Sequence, residues 1–464
     1  MFDDIRKDCY DTWNMRPSRK RYLQRAYQVI YRTLRWFVPG IGVKRWVLVI
    51  LLGTTFLAVG LALLILDIYR TAPSTWWLPV ISFLSLRFLD RTLRALIFGS
   101  IGVGLVALGI IKLNRTLLKP FMTPGRDVID TVAEYRRRER GPRIVVIGGG
   151  TGLSALLRGL KEYSRNITAI VTVADDGGSS GEIRKSIGIL PPGDIRSCLA
   201  ALSNDEELIT QLFQYRFAAN MGLNGHSLGN LLISALTELT GSFEDAIVEM
   251  GKVLTVQGQV LPSTLHNVCL VADVRLPDKN VEVRIKGESQ IPKIGGRIRR
   301  LWIEPGNPAA FPPTIQAILS ADLIIVGPGS LYTSLVANLL VPDLVDALRA
   351  SRAYKFYVSN ISTQPGETDD YTVEDHVEVL DQQIGAHIFD LVVCNNQYFG
   401  CLPEDIQWVK LNPLRESGYP IFQADLADAK TPGRHDSAKL AKTLMDLLLE
   451  KTGPLGSKED SSSL

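Results

Sequence analysis

The stretch Arg143-Ile144-Val145-Val146-Ile147-Gly148-Gly149-Gly150-Thr151-Gly152 decides the fold. Four apolar residues, closed by glycines and followed by an amphipathic run at 153–163, read as a buried strand turning directly into a helix. Glycine at such a junction lets backbone N–H groups approach a phosphate, and the helix dipole adds a favourable field. Gly150, Gly152 and Ala155 also satisfy G-x-G-x-x-A, so a dinucleotide site is one reading. A tight strand–helix turn with no ligand is the plain alternative.

Working outward, short apolar runs recur at 167–173, 265–274, 323–326, 355–358 and 389–394, with helical patterns such as 228–239 and 334–348 between them. This alternation predicts an α/β fold, a Rossmann-like and mainly parallel sheet with helices on both faces, spanning 143–450. The segment 281–303 reads as an antiparallel meander set into it. The tail 451–464, rich in glycine, serine and charge, is expected to be disordered.

The second strand ends in Ala174-Asp175-Asp176-Gly177-Gly178-Ser179-Ser180-Gly181. One Asp could hold a ribose or a metal ion, with Asp175 the candidate ligand, while the loop forms an anion nest; a solvated turn would explain either Asp alone. Asp194 and Arg196 follow in Pro191-Pro192-Gly193-Asp194-Ile195-Arg196, then Arg216, then Gly225-His226-Ser227-Leu228-Gly229-Asn230. The two arginines could neutralise a diphosphate or simply pair with surface acids. Ser227 or Asn230 could cap the helix that follows. Gly327-Pro328-Gly329-Ser330 repeats the glycine turn at a third strand end, and Asn360-Ile361-Ser362-Thr363-Gln364 offers amides and hydroxyls suited to a base or sugar. Candidate ligand residues are therefore Gly149, Gly150, Thr151, Gly152, Asp175, Asp176, Gly178, Ser179, Ser180, Asp194, Arg196, Arg216, Asn230, Gly329, Ser330, Thr363 and Gln364.

The first third differs in kind. Residues 46–66 and 95–111 carry no charge, and at about 21 and about 17 residues they reach spanning length. Gly99, Gly102, Gly104 and Gly109 would let two such helices pack closely in lipid; buried core helices are the soluble alternative. Arginines and lysines precede the first run within 1–45 and follow the second within the charged linker 112–142. The positive-inside rule then predicts a transmembrane hairpin with the N-terminus and the large domain in the cytoplasm. A half-inserted segment over 76–89 is an alternative. A cleavable signal peptide does not fit, because the apolar run starts late and is too long.

The formal net charge is +3, and the positive charge clusters beside the apolar runs. That distribution suits an anionic membrane surface and argues against nucleic acid. Five scattered cysteines without a C-x-x-C pair predict neither a disulfide framework nor a zinc site. No G-x-x-x-x-G-K-[ST] occurs, which argues against a P-loop enzyme.

The motifs at 147–153, 173–181, 191–196, 225–230, 327–334 and 363–368, with Arg434-His435-Asp436, resemble in order and spacing the YvcK-like gluconeogenesis-factor family over roughly 143–450. That family shares a superfamily with 2-phospho-L-lactate transferase, which assembles a deazaflavin cofactor. The resemblance implies a Rossmann-like fold, binding of UDP-N-acetylglucosamine, and a role in cell shape and wall metabolism on gluconeogenic carbon sources. It implies ligand contact by Arg434. The family's nearby tyrosine has no clean counterpart, with Tyr398 and Tyr419 the substitutes. Typical members lack the hairpin, an addition associated with cyanobacterial relatives. A regulator without catalytic residues is the leading reading; protein partners in cell-wall synthesis and a homo-oligomer are compatible with it. The rival is a phospholactate-transferase-like enzyme using a nucleotide-activated substrate and Mg²⁺. A nicotinamide oxidoreductase rests on G-x-G-x-x-A alone. No other cofactor is expected.

Overall fold

A computed structural model describes residues 43–68, 86, 89–118, 138–204, 208–218, 223, 225–276, 281–385, 387–415 and 418–452. The basic segment before residue 43, the loop holding Trp76 and Trp77, most of the linker 112–142 and the tail after 452 lie outside them. The chain divides into two units, Met1–Val132 and Ala133–Leu464.

The first unit contains helices α1 (Val43–Ile68) and α2 (Arg91–Leu118). They run antiparallel, and glycine sets their separation. A Cβ on Gly109 would lie 2.6 Å from Ile50 Cγ1, and one on Gly102 would lie 3.1 Å from the Gly53 carbonyl oxygen. Phe56 stacks on Phe98. Outward from this seam Leu51, Leu96 and Val103 are exposed. Among the described residues Thr92–Gly109 is long and apolar enough to cross a membrane, and Leu48–Gly60 forms a shorter apolar helical stretch.

The second unit begins with β1 (Ile144–Gly148), α3 (Gly150–Leu160), β2 (Ile167–Val171), α4 (Gly178–Ile187), α5 (Gly193–Leu202), α6 (Leu208–Gln214), α7 (Leu228–Thr240), α8 (Phe243–Val253) and β3 (Gln259–Pro262). Strands β4 (Cys269–Arg275), β5 (Glu282–Lys286) and β6 (Arg297–Glu304) follow, then α9 (Pro312–Ser320) and β7 (Leu323–Val326). The rest comprises a π-helical segment (Leu331–Val336), α10 (Pro342–Ala350), β8 (Tyr354–Val358), α11 (Val373–Ile384), β9 (Leu391–Asn395), β10 (Ile421–Ala424) and α12 (Ser437–Thr452). Seven strands form one sheet in the order β10-β9-β8-β7-β1-β2-β3, and every neighbouring pair is parallel. β1, β2, β7 and β9 are buried along their whole length, as expected where helices cover both faces of a parallel sheet. On α3, Leu153, Leu156, Leu157 and Leu160 are fully buried, each worth about 1.5–3 kcal/mol.

The chain moves outward from β1 through β2 to β3, then returns to the other side of β1 at β7 and moves outward again. The strand order therefore reverses between β1 and β7, and ligands of open α/β sheets bind at such a switch point.

Two expectations change. The meander is a separate antiparallel sheet, β5-β4-β6, and the run at 265–274 belongs to it rather than to the parallel sheet. The pattern at 334–348 is not one helix. It breaks at Val341, which is extended, and restarts at Pro342, where a proline's fixed φ and missing N–H suit a first turn.

Candidate functional site

Two glycine loops meet at the switch point. Gly149 precedes α3 in extended conformation with no side-chain cap, so the first N–H groups of α3 face the loop. A Cβ on Gly152 would lie 2.9 Å from the Pro328 carbonyl oxygen, and one on Gly329 would lie 3.2 Å from the Gly149 carbonyl oxygen. The absence of side chains there is what lets the β1 and β7 loops close on one another. Asn360 fixes the second loop, its Oδ1 accepting from Gly329 N at 3.2 Å and its Nδ2 donating to Gly329 O at 2.9 Å. Asn338 Nδ2 donates to Gly148 O at 3.0 Å. Buried Glu367 accepts from the N–H groups of Tyr332 and Thr333, both at 2.8 Å, which holds the start of the π-helical segment.

Above these loops opens a cavity of about 1020 Å³. Gly149, Gly150, Thr151 and Gly152 form one wall, Gly329, Ser330, Asn360, Thr363 and Gln364 a second, and residues 428–438 with Arg434 a third. Gln364 Nε2 donates to Ser330 Oγ at 2.8 Å, while its Oε1 is buried without a partner among the described residues. Thr363 Oγ1 accepts from Gln407 N at 2.9 Å. Arg434 is exposed at the rim. Tyr398 and Tyr419 do not line this cavity; the Tyr398 hydroxyl donates to Asn395 O and Tyr419 to Asp381.

The remaining candidates gather elsewhere. Asp175, Gly178, Ser179, Ser180, Asp194, Arg196, Arg216 and Asn230 line a smaller cavity of about 290 Å³ beyond β2. Asp194 stands between the two: it accepts the Gly150 N–H, and a Cβ on Gly149 would lie 2.4 Å from its Oδ2. Burial and the Asp175 charge push the Asp194 carboxyl up to about 6. Burial also raises Asp175, whose Oδ1 accepts Gly177 N at 2.9 Å. Burial and the adjacent Arg216 charge lower Arg196. Asp176 lines neither cavity; its Oδ1 accepts Ser289 N at 2.9 Å, tying the β2 loop to the turn after β5. Ser227 is the N-cap of α7, accepting from Asn230 N. His226 Nδ1 lies 2.9 Å from Ser179 Oγ, and its Nε2 faces Glu182 at 3.5 Å.

Two residues had not been singled out. Glu288, in the turn after β5, lines the large cavity; burial and the charges of Asp175, Asp176, Asp194 and Glu367 push its carboxyl up to about 8. Arg184 donates to the Asp175 carbonyl at 3.2 Å and also binds Asn267 and Val268 O, pinning the loop from behind. Neither lies in a glycine-rich motif; Gly287 at φ +109 is the one local sign that the backbone turns sharply at Glu288.

Among the described residues no group of three metal-ligating side chains converges. Asp175 and Asp194 face one cavity, and Mg²⁺ commonly takes one or two carboxylates with substrate phosphates and water completing its shell. The residues present fit a Mg²⁺ held in that shared way.

The strand order and the glycine-lined cavity at its reversal define a doubly wound α/β domain with an open crevice at its switch point. The chain belongs to the CofD family, whose model, described as 2-phospho-L-lactate transferase CofD, matches residues 144–426, and within it to the YvcK-like gluconeogenesis factors. A Nostoc sp. relative is 48% identical over 92% of this chain and 94% of its own length. The gluconeogenesis factor of Bacillus subtilis is 46% identical over 67% of this chain and 99% of its own length. A crystal structure of a UPF0052 family protein from Bacillus halodurans superposes with a TM-score of 0.61 at 41% identity, covering 66% of this chain and 99% of that one.

Proposed function

We propose that the switch-point cavity binds a nucleotide-sugar, UDP-N-acetylglucosamine, and that the chain acts as a gluconeogenesis factor supporting cell shape and wall metabolism on gluconeogenic carbon. The observation carrying the reading is the meeting of the β1 and β7 loops. Backbone N–H groups at the start of α3 suit a diphosphate, and about 1020 Å³ accommodates a base and a sugar. Thr363 and Gln364 offer polar groups on the second wall, with Arg434 at the rim. On this reading α1 and α2 tether the domain to the cytoplasmic face of the membrane.

The acidic wall favours a second reading, a transferase related to the phospholactate enzyme. Asp194 abuts Gly149 and Gly150, and with Asp175 it would hold a Mg²⁺ shared with the substrate phosphates, which would supply neutralisation of developing charge. Isothermal titration with UDP-N-acetylglucosamine, with GDP and NAD as controls, decides between them. Selective heat with the UDP-sugar and no product supports the binding reading. Silence with the UDP-sugar, and heat plus turnover with GDP-linked substrates and Mg²⁺, replaces it with the transferase.

A further inference from the structure

The small cavity holds two guanidinium groups that nothing among the described residues neutralises by direct contact. Arg196 is 9% exposed. Its Nη2 reaches Ser197 Oγ at 3.3 Å, and its Nε has no partner. Arg216 makes one long contact, Nη1 to Gly225 O at 3.4 Å. Neither forms an ion pair with a described carboxylate. The buried arginine is nevertheless accommodated by design of the backbone: a Cβ on Gly229 would lie 2.8 Å from Arg196 Cδ and 2.6 Å from Phe213 O. A glycine at that position makes room for its stem. Arg216 is held by a β-bridge to Ser227.

An unpaired buried cation facing a second cation is unfavourable unless an anion joins them. Two arginines match the double charge and fork geometry of a phosphoryl group. The second orphan specifies more. Asn230 is 2% exposed; its Nδ2 donates to Ser179 Oγ at 3.0 Å, while its Oδ1 accepts from nothing described. The ligand must therefore donate a hydrogen bond as well as accept them. Asp175 and Asp194, on the same lining, make the same demand, because a carboxylate repels phosphate oxygens and accepts from hydroxyls. The volume of about 290 Å³ corresponds to about ten waters at about 30 Å³ each. That is under a third of the switch-point cavity and far too small for a nucleotide-sugar.

The geometry points to a second ligand site that takes a small phosphorylated polyol, its phosphoryl group on Arg196 and Arg216 and its hydroxyls toward Asn230, Asp175 and Asp194. The site has its own lining, distinct from that of the nucleotide-sugar cavity, with Asp194 on the wall between them.

The probe is glycerol 3-phosphate, titrated into the full chain in detergent, with inorganic phosphate and glycerol as single-function controls. Glycerol 3-phosphate should bind at least about tenfold tighter than phosphate, and glycerol should not register. Arg216→Ala removes an exposed side chain and should weaken the probe at least about tenfold. Arg196→Met should abolish its binding and, by deleting an uncompensated charge, raise the melting temperature of the unliganded protein. Both variants should bind UDP-N-acetylglucosamine within about twofold of the parent chain. The proposal is overturned if the probe shows no saturable heat, or if its affinity is the same in Arg216→Ala. It is equally overturned if the variants lose the UDP-sugar in step with the probe, which would put both arginines on the diphosphate. Should Arg196→Met fail to fold, Arg216→Ala alone decides.

Discussion

Replacing Glu288 by Gln tests the acidic wall directly. Its carboxyl is pushed from 4.5 to about 8 by burial and by the charges of Asp175, Asp176, Asp194 and Glu367. Between those two values the folded protein keeps a proton that the unfolded chain has released. The folded state therefore binds more protons there, and stability falls as pH rises through that window. At about 1.4 kcal/mol per unit, the displacement sets a ceiling of about 5 kcal/mol; about half should survive once the side chain turns toward solvent. Glu288→Gln removes the titration while keeping the shape. Urea unfolding at pH 5.5 and pH 9 should show the two proteins within about 1 kcal/mol of one another at the lower pH and the variant more stable by about 2–3 kcal/mol at the higher. The same charge faces the proposed diphosphate, so affinity for UDP-N-acetylglucosamine should weaken with pH in the parent chain and hold nearly level in the variant. A stability difference that stays constant from pH 5.5 to 9 would refute the reasoning, because a group that does not titrate in the window cannot be held protonated by its neighbours.

Gly152→Ala places a methyl group 2.9 Å from a backbone carbonyl of the facing loop, so the loops must part. Overpacking of this kind costs about 1–3 kcal/mol, to be read as a lower unfolding midpoint in urea together with loss of UDP-N-acetylglucosamine heat. Arg434→Ala should reduce that affinity about tenfold or more with an unchanged melting temperature, since the side chain is exposed; an equal loss of both would make it a structural residue. The full chain should float with anionic liposomes and a chain lacking residues 1–132 should not, and flotation of both would remove α1 and α2 as the tether.

The central strands were legible because parallel strands buried on both faces read as unbroken apolar runs, and the glycines after β1 and β7 announced their loops. A cap at Ser227 or Asn230 was also legible, and the structure puts it at Ser227. What remained hidden was which loop faces which cavity. Arg196 and Arg216 could serve a diphosphate or surface acids in a linear reading, yet α5 and the loop after α6 carry them to the smaller cavity. Glu288 had no motif at all. It reaches the cavity because Asp176 receives the Ser289 N–H and draws the turn after β5 against the parallel sheet, a tertiary contact no local pattern encodes. The break before Pro342 was written in the sequence and lost beneath the apolar periodicity around it.

The third wall of the large cavity has a consequence for how the protein is made. A Cβ on Gly159 would lie 2.0 Å from the Ser437 carbonyl oxygen, so the end of α3 and the start of α12 touch backbone to backbone across almost the entire domain sequence. At about 5–20 residues per second, a ribosome needs roughly 15–55 s to travel from the first glycine loop to the segment that faces it. Throughout that interval the nascent chain can offer strands and loops, but no enclosed site. Capture of the proposed nucleotide-sugar would therefore wait for the finished polypeptide, and a transcript truncated before residue 428 would yield a chain with both glycine loops and a cavity left open on its third side.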